Sequence, residues 1–321
     1  WWAAACSVTP PLFEVLCLQA CFGRRLSRAS HIDCNVWVDA LEARPDQIPA
    51  ALDAAQGLLV LPGLKAIGDD ATLLLRLSRL FGAEVENYRE TNIAQHMVHA
   101  TVPEILQVSN APPVSRPPPA LPDPPRNADG SLPVQFPHRV GWHSDQSYRR
   151  PPPDVSLFFA QNPCPQGQGQ TLYASGIAAY AGLPERLAKI VEDLQGLHAQ
   201  PGKGRSEAAA LAGETPPELP AHQRPQSQPV VRVHPVTGER ALYLCERGQM
   251  DWFEGPFVGM EPGPKGAGAK LLYELMAHMT RPQFVYVHEW SAGDLIVYDN
   301  RTVSHSATWF DAENHDRLMW R

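Results

Sequence analysis

What the chain has little of narrows its class. Its 321 residues hold no dense run of Lys or Arg; 27 basic and 34 acidic side chains are scattered along it and leave a net charge of -7. A nucleic-acid partner selects for a basic face, so none is expected. No apolar stretch is long enough to span a bilayer, and Glu14 interrupts the best candidate, so no membrane role is expected either. No Cys-x-x-Cys pair occurs. Of six cysteines, Cys6, Cys17, Cys21 and Cys34 crowd into the first 34 residues, and only Cys164 and Cys245 lie in the body. That is not a disulfide framework, and it predicts the cytoplasm or another reducing compartment. No internal repeat is visible, which removes the solenoid architectures.

Proline is plentiful: 33 residues, about twice the ordinary share. Hydrophobic residues make up 44% of the chain, enough for a sizeable core. Residues 1–30 combine Trp1-Trp2, scattered cysteines and Arg24, Arg25 and Arg28, and read as an N-terminal extension or leader, an organellar leader being one form of it. Residues 31–321 read as a single domain with a Pro-rich insert at 112–137 and a loop excursion at 202–229. Long segments of that kind are commonly lids, binding loops or disorder. Periodicity predicts helices over 46–56, 70–81, much of 177–195 and 267–279. It predicts strands over 57–61, 105–108, 154–160, 171–174, 284–287 and 294–298, and a hairpin in which 230–233 and 241–244 flank His234-Pro235-Val236-Thr237-Gly238. Many short strands with flanking helices predict a mostly β fold, a double-stranded β-helix or jelly roll, which brings residues distant in sequence onto neighbouring strands.

The chemistry concentrates in Gly141-Trp142-His143-Ser144-Asp145 and in a late stretch, Gly293-Asp294 through Asp299-Asn300-Arg301 to His305. His-x-Asp alone is weak. Joined by a distant histidine, it is the donor set of a two-histidine, one-carboxylate face, which leaves open positions on a non-haem Fe(II). The candidate metal ligands, and so the candidate catalytic residues, are His143, Asp145 and His305. Arg317 and Arg321, four apart, would share one face of a strand. A guanidinium grips a carboxylate through two parallel hydrogen bonds, as the far end of 2-oxoglutarate would require.

Together with Gly169-Gln170-Thr171-Leu172-Tyr173-Ala174-Ser175-Gly176, His234 to Gly238 and Arg317-Leu318-Met319-Trp320-Arg321, these motifs give a chain that resembles, over residues 34 to 321, the taurine dioxygenase family, which also contains 2,4-dichlorophenoxyacetate dioxygenase. The resemblance implies a clavaminate-synthase-like jelly roll with Fe(II), 2-oxoglutarate as co-substrate, and O2. It implies iron binding by His143, Asp145 and His305, hydrogen bonding of a 2-oxoglutarate carboxylate by Thr171, pairing of the far carboxylate by Arg317, and a hold on an acidic group of the primary substrate by Arg321. The reaction implied is oxidative decarboxylation to succinate and CO2 coupled to hydroxylation of a small organic molecule. Related halogenases lack the carboxylate that Asp145 supplies, so its presence argues for hydroxylation.

The chain also departs from the taurine enzymes. The stretch Ala83-Glu84-Val85-Glu86-Asn87-Tyr88-Arg89 has no histidine, Arg139 stands just before the metal motif as a second candidate for the substrate, and the Pro-rich insert is longer. These changes point away from taurine and toward another small, anionic substrate. Two other readings use the same residues: a catalytically silent jelly-roll module that binds a metal or ligand, and a zinc hydrolase. A homo-oligomer is compatible with all three.

Overall fold

The computed structural model describes residues 47–91, 94–114, 127–130, 141–246 and 248–321. The leader reading at 1–30, the substrate role of Arg139 and most of the 112–137 insert lie outside the described residues.

Helix α1 (Gln47–Ala54) leads into strand β1 (Leu58–Leu61). The turn between them puts Gln56 and Gly57 at φ 55° and 89°; at Gly57 a Cβ would also stand 2.4 Å from the Thr302 hydroxyl, so only glycine fits. Short helices α2 (Ala66–Asp69) and α3 (Thr72–Ser78) precede β2 (Gln107–Ser109). After the His143 loop come β3 (Val155–Asn162), β4 (Thr171–Ser175), α4 (Gly176–Ala181), α5 (Glu185–Val191) and β5 (Gln195–His198). Then follow α6 (Glu207–Leu211), β6 (Gln226–Pro229), β7 (Val231–Val233), β8 (Arg240–Leu242), α7 (Ala267–Met279), β9 (Val285–His288), β10 (Leu295–Asp299), β11 (Val303–Ala307) and β12 (Leu318–Trp320).

The strands form an antiparallel five-stranded sheet, β1-β10-β3-β12-β2, and a three-stranded one, β11-β4-β9, with two hairpins, β5-β6 and β7-β8, beside them. Alternation along the strands explains how they stack. Leu58, Val60, Ile296, Tyr298, Tyr173, Val303 and Met319 fill one cluster between the two sheets. The residues that alternate with them face outward: Leu59, Leu61, Leu295, Val297, Leu157 and Phe159 meet α1 and α3, while Leu172 and Ala174 meet α4, α5 and α7. Runs such as Leu58-Leu59-Val60-Leu61 are therefore apolar at every position, since both faces of the sheet are covered. This is the expected jelly roll.

The 202–229 segment differs from its expectation. It carries α6 and β6, and β6 pairs with β5 in register Gln195↔Pro229 to His198↔Gln226. The buried pair of Arg205 with Asp251, 2.8 Å at both Nε and a terminal nitrogen, anchors its start. Polar strand residues such as Gln226, Ser227 and Gln228 hide a strand from hydropathy.

Candidate active site

The loop from Gly141 to Arg149 crosses one end of the sandwich and carries two of the three predicted ligands. His143 continues the small sheet by one residue. Its N–H donates to the His305 carbonyl at 3.0 Å, and the His305 N–H returns the bond at 2.8 Å. The two imidazoles thus stand side by side with ring centres 4.3 Å apart. His305 is held from behind by β4, where it pairs with Tyr173.

Asp145 completes the group: its Oδ1 lies 4.0 Å from His143 Nε2 and 3.9 Å from His305 Nε2. One donor atom from each of the three falls within 4.8 Å of the others. His143 Nδ1 lies 2.9 Å from the Gly141 carbonyl, so that nitrogen carries the proton and Nε2 keeps a lone pair for a metal. Burial, with the neighbouring His143, lowers the His305 pKa to about 3, against a partial upward pull from Asp145, so its ring is neutral and available as a donor. Burial opposes ionisation of Asp145, yet the Arg321 guanidinium, the two imidazoles and the Tyr298 hydroxyl outweigh it and hold the carboxyl well below its usual range. A neutral, neutral, anionic donor set facing one point fits a divalent iron.

Arg317 is buried, 8% exposed, with its guanidinium over Phe158 and Phe310 at 5.8 and 6.0 Å from the ring centres. Its Nε has no hydrogen-bond partner, and no carboxylate pairs with it among the described residues. Burial pulls its pKa down. An uncompensated buried cation of this kind fits a bound carboxylate. Thr171 is also buried and accepts a hydrogen bond from Trp290 Nε1 at 2.9 Å, which leaves its own hydroxyl proton free to donate.

Arg321 is brought to the same centre but not left free. It donates to Asp145 Oδ1 and lies against Tyr88; burial works against its charge, but Asp145 beside it raises its pKa. It also lines a cavity of about 510 Å³ shared with Asp145 and Gln146. Leu74, Leu75, Phe81, Val85, Ile105 and Leu157 give that cavity an apolar wall, and Glu84, Glu86, Glu104 and Asp154 add carboxylates. Glu86 is paired with Arg149 at 2.6 Å.

A second group of potential metal donors, Asp53, His234 and Asp299, forms where the β7–β8 turn meets the end of β10. Its cation is already present: Arg301 binds both oxygens of Asp299, at 2.9 and 2.6 Å. His234 Nδ1 accepts from the Thr237 N–H at 3.1 Å, so Nε2 carries the proton and donates to Asp299 Oδ2 at 2.9 Å. The His234 to Gly238 motif thereby pins the Asp299-Asn300-Arg301 turn, and Asn300 Oδ1 accepts the Asp145 N–H at 3.2 Å.

Residues 15–321 match the family described as "Taurine catabolism dioxygenase TauD, TfdA family". The chain belongs to this family. Among its relatives, the chain is similar to an alpha-ketoglutarate-dependent 2,4-dichlorophenoxyacetate dioxygenase from Burkholderia sp. (strain RASC), 35% identical over 174 residues, 53% of each chain. It is also similar to an (S)-phenoxypropionate/alpha-ketoglutarate-dioxygenase from Sphingobium herbicidovorans (31% identical, 60% of this chain and 67% of that one) and to an alpha-ketoglutarate-dependent sulfate ester dioxygenase from Pseudomonas putida (31%, 52% and 53%). The chain spans about half the length of most of these curated relatives. Two solved structures share the fold at 24% identity and a TM-score of 0.60: a taurine dioxygenase from Burkholderia xenovorans, covering 87% of this chain and 78% of that one, and AAD-2 in complex with Mn(II) and N-oxalylglycine, covering 87% and 85%.

For this family member, sequence reasoning missed Tyr298, Ser156 and Trp290, which touch predicted site residues without being predicted themselves. Tyr298 and Ser156 both donate to Asp145 Oδ2, at 2.6 and 3.1 Å. Their signal was strand pairing, which a single sequence does not display.

Proposed function

We infer that the protein is an Fe(II)- and 2-oxoglutarate-dependent dioxygenase that hydroxylates a small organic anion with release of succinate and CO2. The observation that carries this reading is the pairing of a His143, Asp145, His305 donor face with a buried Arg317 that has no carboxylate partner among the described residues, on one jelly roll. His143, Asp145 and His305 would hold the iron. Arg317 would receive the far carboxylate of 2-oxoglutarate, and Thr171 would donate its hydroxyl proton to a carboxylate oxygen. Iron and 2-oxoglutarate held there would supply the oxidative chemistry, with O2, for inserting one oxygen atom into a substrate C–H bond. The protein's part is to hold the reactants in register and to exclude water. A silent module has no need to bury an unpaired guanidinium, and a zinc hydrolase has no use for one.

The cavity beside Asp145 narrows the substrate. Arg321 uses one of its five donors on Asp145 Oδ1 and has others for an anionic head. The apolar wall suits an aryl or branched alkyl body, and Glu84, Glu104 and Asp154 disfavour a second negative charge. The substrate is thus a monoanion with an apolar body; the names of the relatives, phenoxyalkanoates and a sulfate ester, are of that kind. Arg139 is a second candidate for the head group.

Succinate release from 2-oxoglutarate, with Fe(II) and ascorbate under air, tests this across aryloxyacetates, alkyl sulfates, sulfonates and amino acids. Turnover is expected to rise with an amphiphilic monoanion, to stay near background with taurine, and to vanish in His143→Ala. Failure of the wild-type protein to bind Fe(II) would sink the reading.

A further inference from the structure

A carboxylate can hold a metal through one oxygen or chelate it through both. The difference matters here, because three protein donors leave an octahedral ion three positions, two for a chelating 2-oxo acid and one for O2. A chelating Asp145 would take one of these away. The oxygen geometry bears on which mode the fold permits.

Asp145 Oδ1 is the oxygen facing His143 Nε2 and His305 Nε2; it also accepts from Arg321, which leaves its second lone pair for a metal. Oδ2 is turned into the protein. It receives the Tyr298 hydroxyl at 2.6 Å and the Ser156 hydroxyl at 3.1 Å. These two hydroxyls come from residues directly opposite each other on β10 and β3, Tyr298↔Ser156, and so project from one face of the large sheet. Proton accounting fixes the direction of each bond. Asn300 Nδ2 donates to Ser156 Oγ at 2.7 Å, so the single Ser156 proton is left for Asp145. The amide is itself oriented, because its Oδ1 accepts the Asp145 N–H at 3.2 Å. The Tyr298 ring is boxed by Tyr173 and His305, with centres 5.5 and 5.1 Å away, so its hydroxyl cannot swing aside. All four polar groups are buried.

We propose that Tyr298 and Ser156 are a hydroxyl clamp that confines Asp145 to single-oxygen ligation and so keeps the position that 2-oxoglutarate needs. Both are positioning residues, acting on the ligand and not on the substrate. The inference rests on the proposed iron and 2-oxoglutarate chemistry, and its test separates the two.

The test uses Mn(II), which fills the site without turnover. Mn(II) affinity is read by the loss of free-ion EPR signal, and 2-oxoglutarate affinity by titration of the Mn(II)-loaded protein. Tyr298→Phe keeps the ring packing and removes one donor; Ser156→Ala is the milder partner should the first variant fold poorly. In both, Mn(II) binding is expected to stay within a fewfold of wild type, because a released carboxylate can chelate. The 2-oxoglutarate dissociation constant is expected to rise about tenfold, the lower end of what outer-sphere ligand partners control. Unchanged 2-oxoglutarate binding in both variants overturns the clamp. So does a parallel loss of Mn(II) and 2-oxoglutarate binding, which marks a merely structural role. A wild-type protein that binds no Mn(II) overturns the functional reading, and the clamp with it.

Discussion

Burying a guanidinium with no carboxylate beside it costs several kcal/mol; among the described residues Arg317 has none, while Arg205, Arg301 and Arg321 each have an acidic partner. The contrast is the one expected if Arg317 serves a ligand and the other three serve the fold. Replacement of Arg317 by Met should therefore leave the melting temperature of the ligand-free protein unchanged or raise it. The same change should weaken 2-oxoglutarate by about 2 kcal/mol or more, roughly thirtyfold, as expected for deleting one half of a buried charge pair. Arg317→Lys should fall between, since it keeps the charge but not the planar fork. Calorimetric melting beside the KM for 2-oxoglutarate decides it: a lower melting temperature with an unchanged KM would make Arg317 structural. Arg321 behaves differently. Its tie to Asp145 means that Arg321→Met should disturb metal binding as well as substrate affinity, so its effect should not be confined to the KM of the primary substrate.

At the level of elements, the site depends on how closely α4 passes the strands that carry His305. Gly176 opens α4, gives its N–H to the Thr302 carbonyl at 2.7 Å, and would place a Cβ 2.5 Å from the Leu242 carbonyl oxygen and 2.8 Å from that of Thr302. Both obstacles are backbone and cannot rotate away. Gly176→Ala should cost about 2–3 kcal/mol of stability, as overpacking at rigid contacts does. It should also displace the start of β11, so that Mn(II) affinity falls together with the melting temperature in urea or heat; a neutral Gly176→Ala would show that the crossing is loose. This glycine closes the Thr171 to Gly176 motif, which was legible in sequence as a motif though not as a steric constraint. Elements with strong periodicity were legible too: α7 runs from Ala267 to Met279, as its spacing predicts. The predicted 70–81 helix instead divides into α3 and a 3-10 turn at Arg79–Phe81. Strands β6 and β11 were not legible, because the polar runs Gln226-Ser227-Gln228 and Ser304-His305-Ser306 read as loop to hydropathy. The three candidate donors, His143, Asp145 and His305, were readable as motif residues, and the fold brings them within reach of one another. Their Tyr298 and Ser156 partners were not, since the register of β10 on β3 brings them together and no spacing within the chain encodes it.

Across the whole molecule, the His143 loop is tied to the β5–β6 hairpin through a histidine whose burial disfavours its charged form. His198 is fully buried, its Nδ1 lies 2.9 Å from Ser147 Oγ, and its Nε2 has no partner among the described residues. Ser147 Oγ gives its own proton to Gln249 Oε1 at 3.2 Å, so His198 must donate from Nδ1 and keep a lone pair on its buried Nε2. Burial, with the Arg232 charge nearby, lowers its pKa to about 3. The unfolded chain would take up a proton at this residue near pH 6.5. Between these values the unfolded state binds more protons than the folded one, so stability rises with pH and is lost as pH falls below about 6.5, by up to about 1.4 kcal/mol per unit. Other buried groups titrate in the same window, so the comparison that isolates His198 is with His198→Gln, which keeps an amide donor for Ser147 and does not titrate. Urea unfolding of the two metal-free proteins should show the wild-type advantage at pH 7 shrinking by about 2 kcal/mol at pH 5. A difference that stays constant across that range would mean that His198 is charged in the fold, with water reaching Nε2, and that the hairpin does not seal the back of the His143 loop.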